Sequence, residues 1–296
     1  MQKAARDKTF NVHSPHNRPQ LIVQSAEVFR VETELCSGGW LRGVEDSWTP
    51  DKTCALNPAV VVAVEGAKPG DMLAVEILEI EPDNVGYTGF NDSHTVAGLI
   101  RPMCWGLNVK TVEIRDGFIH WSDRLKIPVQ PMIGVLGTAP REEALSNDKA
   151  GPHGGNMDVQ EVCAGSTVYL PVEVEGALLH IGDAHAIQGD GEINGAGGIE
   201  CRSEVELRAT VMPRPEDFRC VRIEDEHYIM TVACERSLEE SFYLACDQML
   251  NWMRQRNGID PREGYLLMGQ VLEARSTQFV NPTRSYICKM PKRFLI

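Results

Sequence analysis

The chain has 296 residues, 43% of them hydrophobic, and a formal net charge of −13 at pH 7. That length and apolar content support a substantial core in one or two domains, whereas the acidic balance argues against a nucleic-acid partner, which needs a basic surface. No run approaches the roughly 18 apolar residues that cross a bilayer, and the start, Met1-Gln2-Lys3-Ala4-Ala5-Arg6-Asp7, lacks a signal-peptide apolar stretch. Nine cysteines, with no Cys-x-x-Cys pair, suit a reducing compartment, so a cytoplasmic location is expected.

In chain order, His13 and His16 fall in a polar, Pro-rich segment and read as surface-loop residues on an arm suited to packing on a neighbouring subunit. Residues 21–31, 59–64 and 72–80 are β-branched apolar runs and predict strands. Asp92 and His94 lie in a turn-like stretch that either reaches a site or simply closes a loop. Trp40, Trp48 and Trp105 suit a pocket lining or core packing. Residues 109–114 and 117–121 predict a hairpin around Arg115-Asp116-Gly117. Residues 141–147 read as a short helix or a lid, and 167–174 with 177–181 as a second hairpin through Glu175-Gly176.

Residues 205–211 alternate apolar and polar, the pattern of a half-buried strand. Helix arrives late. Ser237 and Glu240 form a capping box ahead of an apolar face at Leu238, Phe242, Ala245, Met249 and Met253, and Asn257-Gly258 ends it. Asp260 then caps a second helix with Pro261 at its first position. The fold class expected is mainly β: a sandwich- or barrel-like body over 1–212, and a smaller α+β part over 213–296, divided near Pro213-Arg214-Pro215.

Chemistry concentrates in His180-Ile181-Gly182-Asp183-Ala184-His185-Ala186-Ile187-Gln188-Gly189-Asp190-Gly191-Glu192, closing at Glu200. Asp183 and His185 are two apart, so in an extended segment they leave the same face, whereas His180 and His185 leave opposite faces. Crowded carboxylates repel unless a proton or cation lies between them. Imidazole with carboxylate is a ligand set for zinc, manganese or iron, and carboxylates alone suit calcium or magnesium. A metal site is the resulting expectation, with a solvated acidic turn as the plain alternative.

The words around this run resemble the acetamidase/formamidase family. They are Gly154-Gly155-Asn156-Met157-Asp158, Gly165-Ser166-Thr167-Val168-Tyr169-Leu170-Pro171-Val172, Gly176-Ala177 and the stretch from Gly182 to Glu192, with Gly66-Ala67-Lys68-Pro69-Gly70-Asp71 as a weaker one. The resemblance implies a largely β, metal-dependent hydrolase of small amides. Residue matching carries over Asp183, His185, Asp190, Glu192 and Glu200 as its centre. Asp183, His185 and Asp190 would ligate a divalent metal, with Glu200 a further ligand or its orienter. His185 and Glu192 are the catalytic assignments, Glu192 taking the proton from water. Asn156, Asp158, His153, Asp92 and His94 are additional candidates.

Zinc is the expected ion, with calcium as a candidate second ion. Two departures bear on substrate and activity. Glu32-Thr33-Glu34-Leu35-Cys36 lacks the acidic residue that precedes the cysteine in the family's word, and Asn57-Pro58-Ala59-Val60-Val61-Val62 departs from Asn-Pro-x-Thr-Gly-Pro.

No Gly-x-Ser-x-Gly elbow is present, and Cys163 and Cys201 are the controls for a cysteine nucleophile. The function expected is hydrolysis of a small non-peptide amide of the formamide or acetamide kind, or a lactam, by a homo-oligomer. The alternatives are a divalent-cation-binding protein without turnover and a metal-dependent lyase or oxygenase.

Overall fold

Alternating and β-branched runs dominate the chain as far as Glu235, and the computed structural model, which describes residues 1–90 and 106–295, turns them into strands. Asp92, His94 and Trp105 lie outside the described residues. The longest strand, Asp71–Phe90, pairs antiparallel with Glu200–Pro213 from Asp71 opposite Pro213 to Tyr87 opposite Glu200. Glu200–Pro213 buries alternate residues, as its pattern predicts, and carries Val28–Glu32 on its other edge. On the far side of Asp71–Phe90 come Thr167–Pro171 and then Val221–Glu224, Tyr228–Glu235, Arg284–Pro291 and Glu273–Gln278. This arm of sheet continues across Pro213.

A second arm runs from Leu21–Val23 through Ala59–Val64 and Leu179–His185 to Met132–Gly137 and Gly154–Asn156. The two arms meet at one pairing, His185 opposite Glu200. Apolar residues of both arms (Phe29, Val60, Leu73, Leu136, Ile181 and Leu207 among them) share one buried cluster. The result is mainly β, a curled, barrel-like body in which the acidic run lies at the join between arms. Two helices, Leu238–Asn257 and Pro261–Val271, pack Ala245, Met249, Met253 and Met268 against the outer face of the carboxy-terminal strands. Among the described residues, no helix is long and apolar enough to cross a membrane.

Local signals translate directly. Ser237 accepts from the Glu240 N–H at 3.2 Å while Glu240 accepts from the Ser237 N–H at 3.3 Å, and Gly258 ends the helix with φ 68°. Asp260 caps the next helix. Asn108–Arg115 and Phe118–Ser122 form the expected hairpin, with positive φ at Asp116 and Gly117.

Three expectations change. Thr167–Pro171 and Leu179–His185 are not a hairpin: the first pairs with Asp71–Phe90 and the second with Ala59–Val64, in different arms. Positive φ at Gly176, Ala177 and Leu178 swings the chain from one arm to the other. Residues 141–147 form no helix: Leu145–Ser146 pairs with Val12–His13. His13 is fully buried rather than on the surface, while His16 is exposed.

Candidate active site

Every residue of Leu179–His185 is buried, so its two candidate site side chains, Asp183 and His185, are withdrawn from water by the sheet itself. Asp183 has φ 55°, at a skip in the pairing where Ile133 faces Ala184 and Val135 faces Gly182. Asp158 and Glu192 also adopt positive φ, 49° and 47°. Left-handed backbone is uncommon for non-glycine residues, and such strain concentrates at functional sites. His185 Nε2 lies 3.5 Å from Asp183 Oδ1 and 3.3 Å from Glu200 Oε1. Donor atoms of Asp158, Asp183 and His185 fall within 4.8 Å of one another, as do those of Cys36, Asp183 and Glu200.

Burial without compensation sets the electrostatics. Burial, reinforced by the Asp183 charge, pushes Asp158 up to about 6. It pushes Glu200 up to about 7, against the pull of His185. Glu192 is held well above the carboxylate range by burial and then by Asp158. For His185, burial favours the neutral ring, but Glu200 and Asp183 outweigh it and raise the pKa well above the usual value. Asp158 Oδ1, Asp183 Oδ1, both His185 ring nitrogens, Glu192 Oε2 and Glu200 Oε2 are buried without hydrogen-bond partners. Orphaned buried acceptors are costly. Anionic oxygens around an imidazole are the donor set a divalent cation satisfies, so these residues fit such an ion.

An amide network holds the cluster from behind. With its amide turned to suit its neighbours, Asn156 donates to Asp183 Oδ2 at 2.9 Å and to Asp158 Oδ2 at 3.3 Å, and accepts from Asn281 and Asn57 at 2.9 Å each. Asn281 also donates to Asp158 Oδ2 at 2.7 Å. Gln188 donates to the Asp158 carbonyl at 3.0 Å. The backbone packs equally close: a Cβ at Gly134 would meet Asp158 Oδ1 at 2.5 Å and Asp183 Oδ2 at 2.7 Å. Gly134→Ala is expected to force these carboxylates apart, costing about 1–3 kcal/mol of stability and up to about 100-fold in turnover. Urea unfolding and kcat on one preparation check both.

Cys36 links this centre to a cavity of about 220 Å³ lined also by Ser37, Trp48, Asn57, Tyr87, Phe90 and Asn194. The Tyr87 hydroxyl lies 2.7 Å from Ser37 Oγ and 3.1 Å from Cys36 Sγ. Trp40 stacks edge-on against Tyr87, with centroids 4.9 Å apart. Leu35, in the first of the two departing words, is buried with Leu41 and Val85 against the same ring. Sequence reasoning did not single out Tyr87, Asn194 or Asn281, which carry no local pattern. Cys36 and Asn57 appeared there only within the two departing words.

Asp190 does not join the cluster. Its side chain is 58% exposed, pairs with Arg275 Nε at 2.7 Å and accepts from Gln160. It opens the turn Asp190–Glu192, in which Gly191 (φ 83°) and Glu192 (φ 47°) are left-handed, so the backbone is not extended there and residues two apart do not share a face. His153 lies elsewhere as well, in a buried trio with His13 and His180. The His13 ring stacks on His180 at 4.3 Å between centroids and meets His153 edge-on at 5.1 Å.

Burial pulls His153 and His180 down to about 4, below the unfolded value of about 6.5. Their contribution to stability is therefore complete above about pH 6.5 and is lost as pH falls from there through about 4. At pH 5 each is expected to cost roughly 2 kcal/mol relative to pH 7. Denaturant titrations at the two pH values should show that His153→Gln removes about one such share of the pH dependence. Cys201 is buried and its thiol pushed up to about 12 by burial, and burial also raises Cys163, so neither is primed as a nucleophile.

Fold and site together define a class: a mainly β protein with a buried carboxylate–imidazole centre at the join of two sheet arms. The acetamidase/formamidase family model matches residues 1–152 and 149–219, and the chain belongs to the acetamidase/formamidase family, a group of amide hydrolases. The structure is similar to that of a recombinant predicted acetamidase/formamidase from the thermophile Thermoanaerobacter tengcongensis (31% identity, 99% of this chain and 96% of that one, TM-score 0.90). It is equally similar to an acetamidase from Bacillus halodurans (31% identity, 99% and 98%, TM-score 0.90). An acetamidase of Mycolicibacterium smegmatis is 27% identical over 71% of this chain and 68% of its own length.

Proposed function

We propose that this protein hydrolyses the C–N bond of a small non-peptide amide, of the formamide and acetamide kind, at a divalent-metal centre built on Asp183, His185 and Glu200. The observation that carries this reading is the buried, hydrogen-bond-deficient cluster reached through Cys36 from a small cavity. Asp158, Asp183 and His185 on one side, and Glu200 with Cys36 on the other, would hold the ion. Zinc suits this mixed donor set, and Asp158 takes the ligand position first assigned to Asp190. A second, oxygen-ligated ion such as calcium is a separate element of the proposal, read by metal stoichiometry. When bound, such an ion supplies Lewis-acid polarisation of a carbonyl and lowers the pKa of water.

The chain's own residues supply the rest. Glu192, whose Oε2 is unpartnered and whose pKa is raised by burial, accepts the proton of the attacking water and returns it to the departing nitrogen. Asn156 and Asn281 fix the two aspartates, so Asp158 and Asp183 keep one orientation as charge shifts. Tyr87 and Asn194 offer polar contacts to an amide in the cavity, while Trp48 and Phe90 face its acyl side. A cytoplasmic homo-oligomer completes the proposal, with the exposed Tyr243, Tyr265 and Leu266 of the two helices as the surface to be covered.

The test is ammonia release from formamide and acetamide, with ring opening of a γ-lactam measured beside it. Release from the wild type that falls by up to about 100-fold in Gly134→Ala supports the reading. No ammonia from either linear amide overturns it, and oxygen consumption or elimination products would favour an oxygenase or a lyase. Metal binding without any turnover would leave a cation-binding protein.

A further inference from the structure

Buried charge is expensive unless it is paired, and one arginine in this fold breaks that rule. Arg222 lies in Val221–Glu224, opposite Tyr169 in the register, and is only 3% exposed. Among the described residues, no carboxylate lies within ion-pair distance of it, and its Nε is buried without a partner. Asp217, the acidic group that acts on it at longer range, is paired to Arg219 Nε at 2.7 Å.

The guanidinium is nevertheless held in place. Its Cζ sits 5.3 Å from the centre of the Phe218 ring and 5.1 Å from that of Trp252, so aromatic faces hold it. Nη2 donates to Gln255 Oε1 at 3.1 Å, and the Gln255 amide is fixed by its own bond to the Glu216 carbonyl at 2.8 Å. Rings on a guanidinium leave its in-plane donors for an anion, and two parallel N–H groups match a carboxylate.

Arg222 lines a cavity of about 280 Å³ between the sheet and the Leu238–Asn257 helix, walled also by Tyr169 and Trp252 and rimmed by Met72, Met212, Pro213 and Pro215. Glu224 also lines it, but is neutralised by Arg256 Nη1 and Lys292 Nζ, each at 2.7 Å, and accepts from the Tyr169 hydroxyl at 3.2 Å. The lining thus carries two arginines, Arg222 and Arg256, against one carboxylate that Arg256 and Lys292 already neutralise, leaving the cleft cationic. None of these residues belongs to the Asp183 centre. We infer that this cleft is a second ligand site, which takes an organic monocarboxylate with its charged end on Arg222 and its apolar body between Tyr169, Trp252 and the Met and Pro rim.

Benzoate is the probe, followed by fluorine NMR of the intact protein labelled with 5-fluorotryptophan, the Trp252 resonance being assigned with Trp252→Phe. Benzoate should move the Trp252 resonance saturably, and benzyl alcohol, its uncharged analogue, should bind at least about tenfold more weakly, a difference of about 1.4 kcal/mol. Arg222→Gln should abolish the shift. Met212→Trp, which leaves the arginine in place and fills the rim, should abolish it too, and covers the case in which Arg222→Gln does not fold. No benzoate-dependent shift, equal binding of benzyl alcohol, or a shift that survives both substitutions would overturn the inference. A response to inorganic phosphate as strong as that to benzoate would overturn the carboxylate assignment.

Discussion

Glu192→Gln should lower kcat by about 10²- to 10⁴-fold, the usual worth of a positioned general base, while bound metal and KM change little. Glu192, with φ 47°, is buried beside Asp158 and His185, whereas Asp190 at the start of the same turn is exposed. Burial first, and then the Asp158 charge, hold the Glu192 pKa well above the carboxylate range, which makes it a stronger base than an exposed carboxylate. Glutamine keeps the volume and the acceptor oxygen but takes no proton. Asp190→Asn is the matched control. That residue is exposed and paired with Arg275, so turnover should stay near wild type, with at most about 1 kcal/mol of stability lost from a surface pair. Near-wild-type kcat in Glu192→Gln, or a collapse in Asp190→Asn, would reverse the assignment of the two acids.

Asp183→Asn should strip the protein of its ion and its activity together while leaving it folded. Asp183 belongs to both donor groups at the centre, with Asp158 and His185 on one side and Cys36 and Glu200 on the other. Asparagine tolerates left-handed backbone nearly as well as aspartate, so the φ of 55° is kept. The substitution also removes a negative charge that raises both Asp158 and Glu200. Without metal, the variant should therefore be as stable as the wild type or more so, because unpaired buried charge is destabilising. Metal affinity should fall by more than the roughly 10–100-fold that follows loss of an outer partner such as Asn156. Metal content by mass spectrometry and denaturant midpoints of both metal-free proteins test this. Full metal occupancy in Asp183→Asn would remove Asp183 from the ligand set.

What could be read from the sequence follows a physical division. Ser237, Gly258 and Asp260 announced helix ends correctly because capping is decided within four residues. The Asn108–Arg115 hairpin was legible for the same reason. The supposed hairpin through Glu175-Gly176 failed because a glycine turn looks alike whether the chain doubles back or crosses to another arm. In the site, Asp183 and His185 were legible through their two-residue spacing on an extended strand. Asp190 and Glu192 came from residue matching, which does not register that the turn between them sends one side chain outward and the other inward. Tyr87, Asn281 and the burial of His13 depend on pairings across many tens of residues, which no local pattern records.

On the proposed reading, amide hydrolysis depends on a divalent ion at Asp183, His185 and Glu200. The most direct measurement is ammonia release from acetamide by protein freed of metal with a chelator, then titrated with zinc, with metal content measured at each point. Release from the metal-free protein should be negligible and should rise with zinc to saturate at a fixed metal-to-chain ratio, a rise absent in Asp183→Asn. Full turnover by protein shown to be metal-free would contradict it.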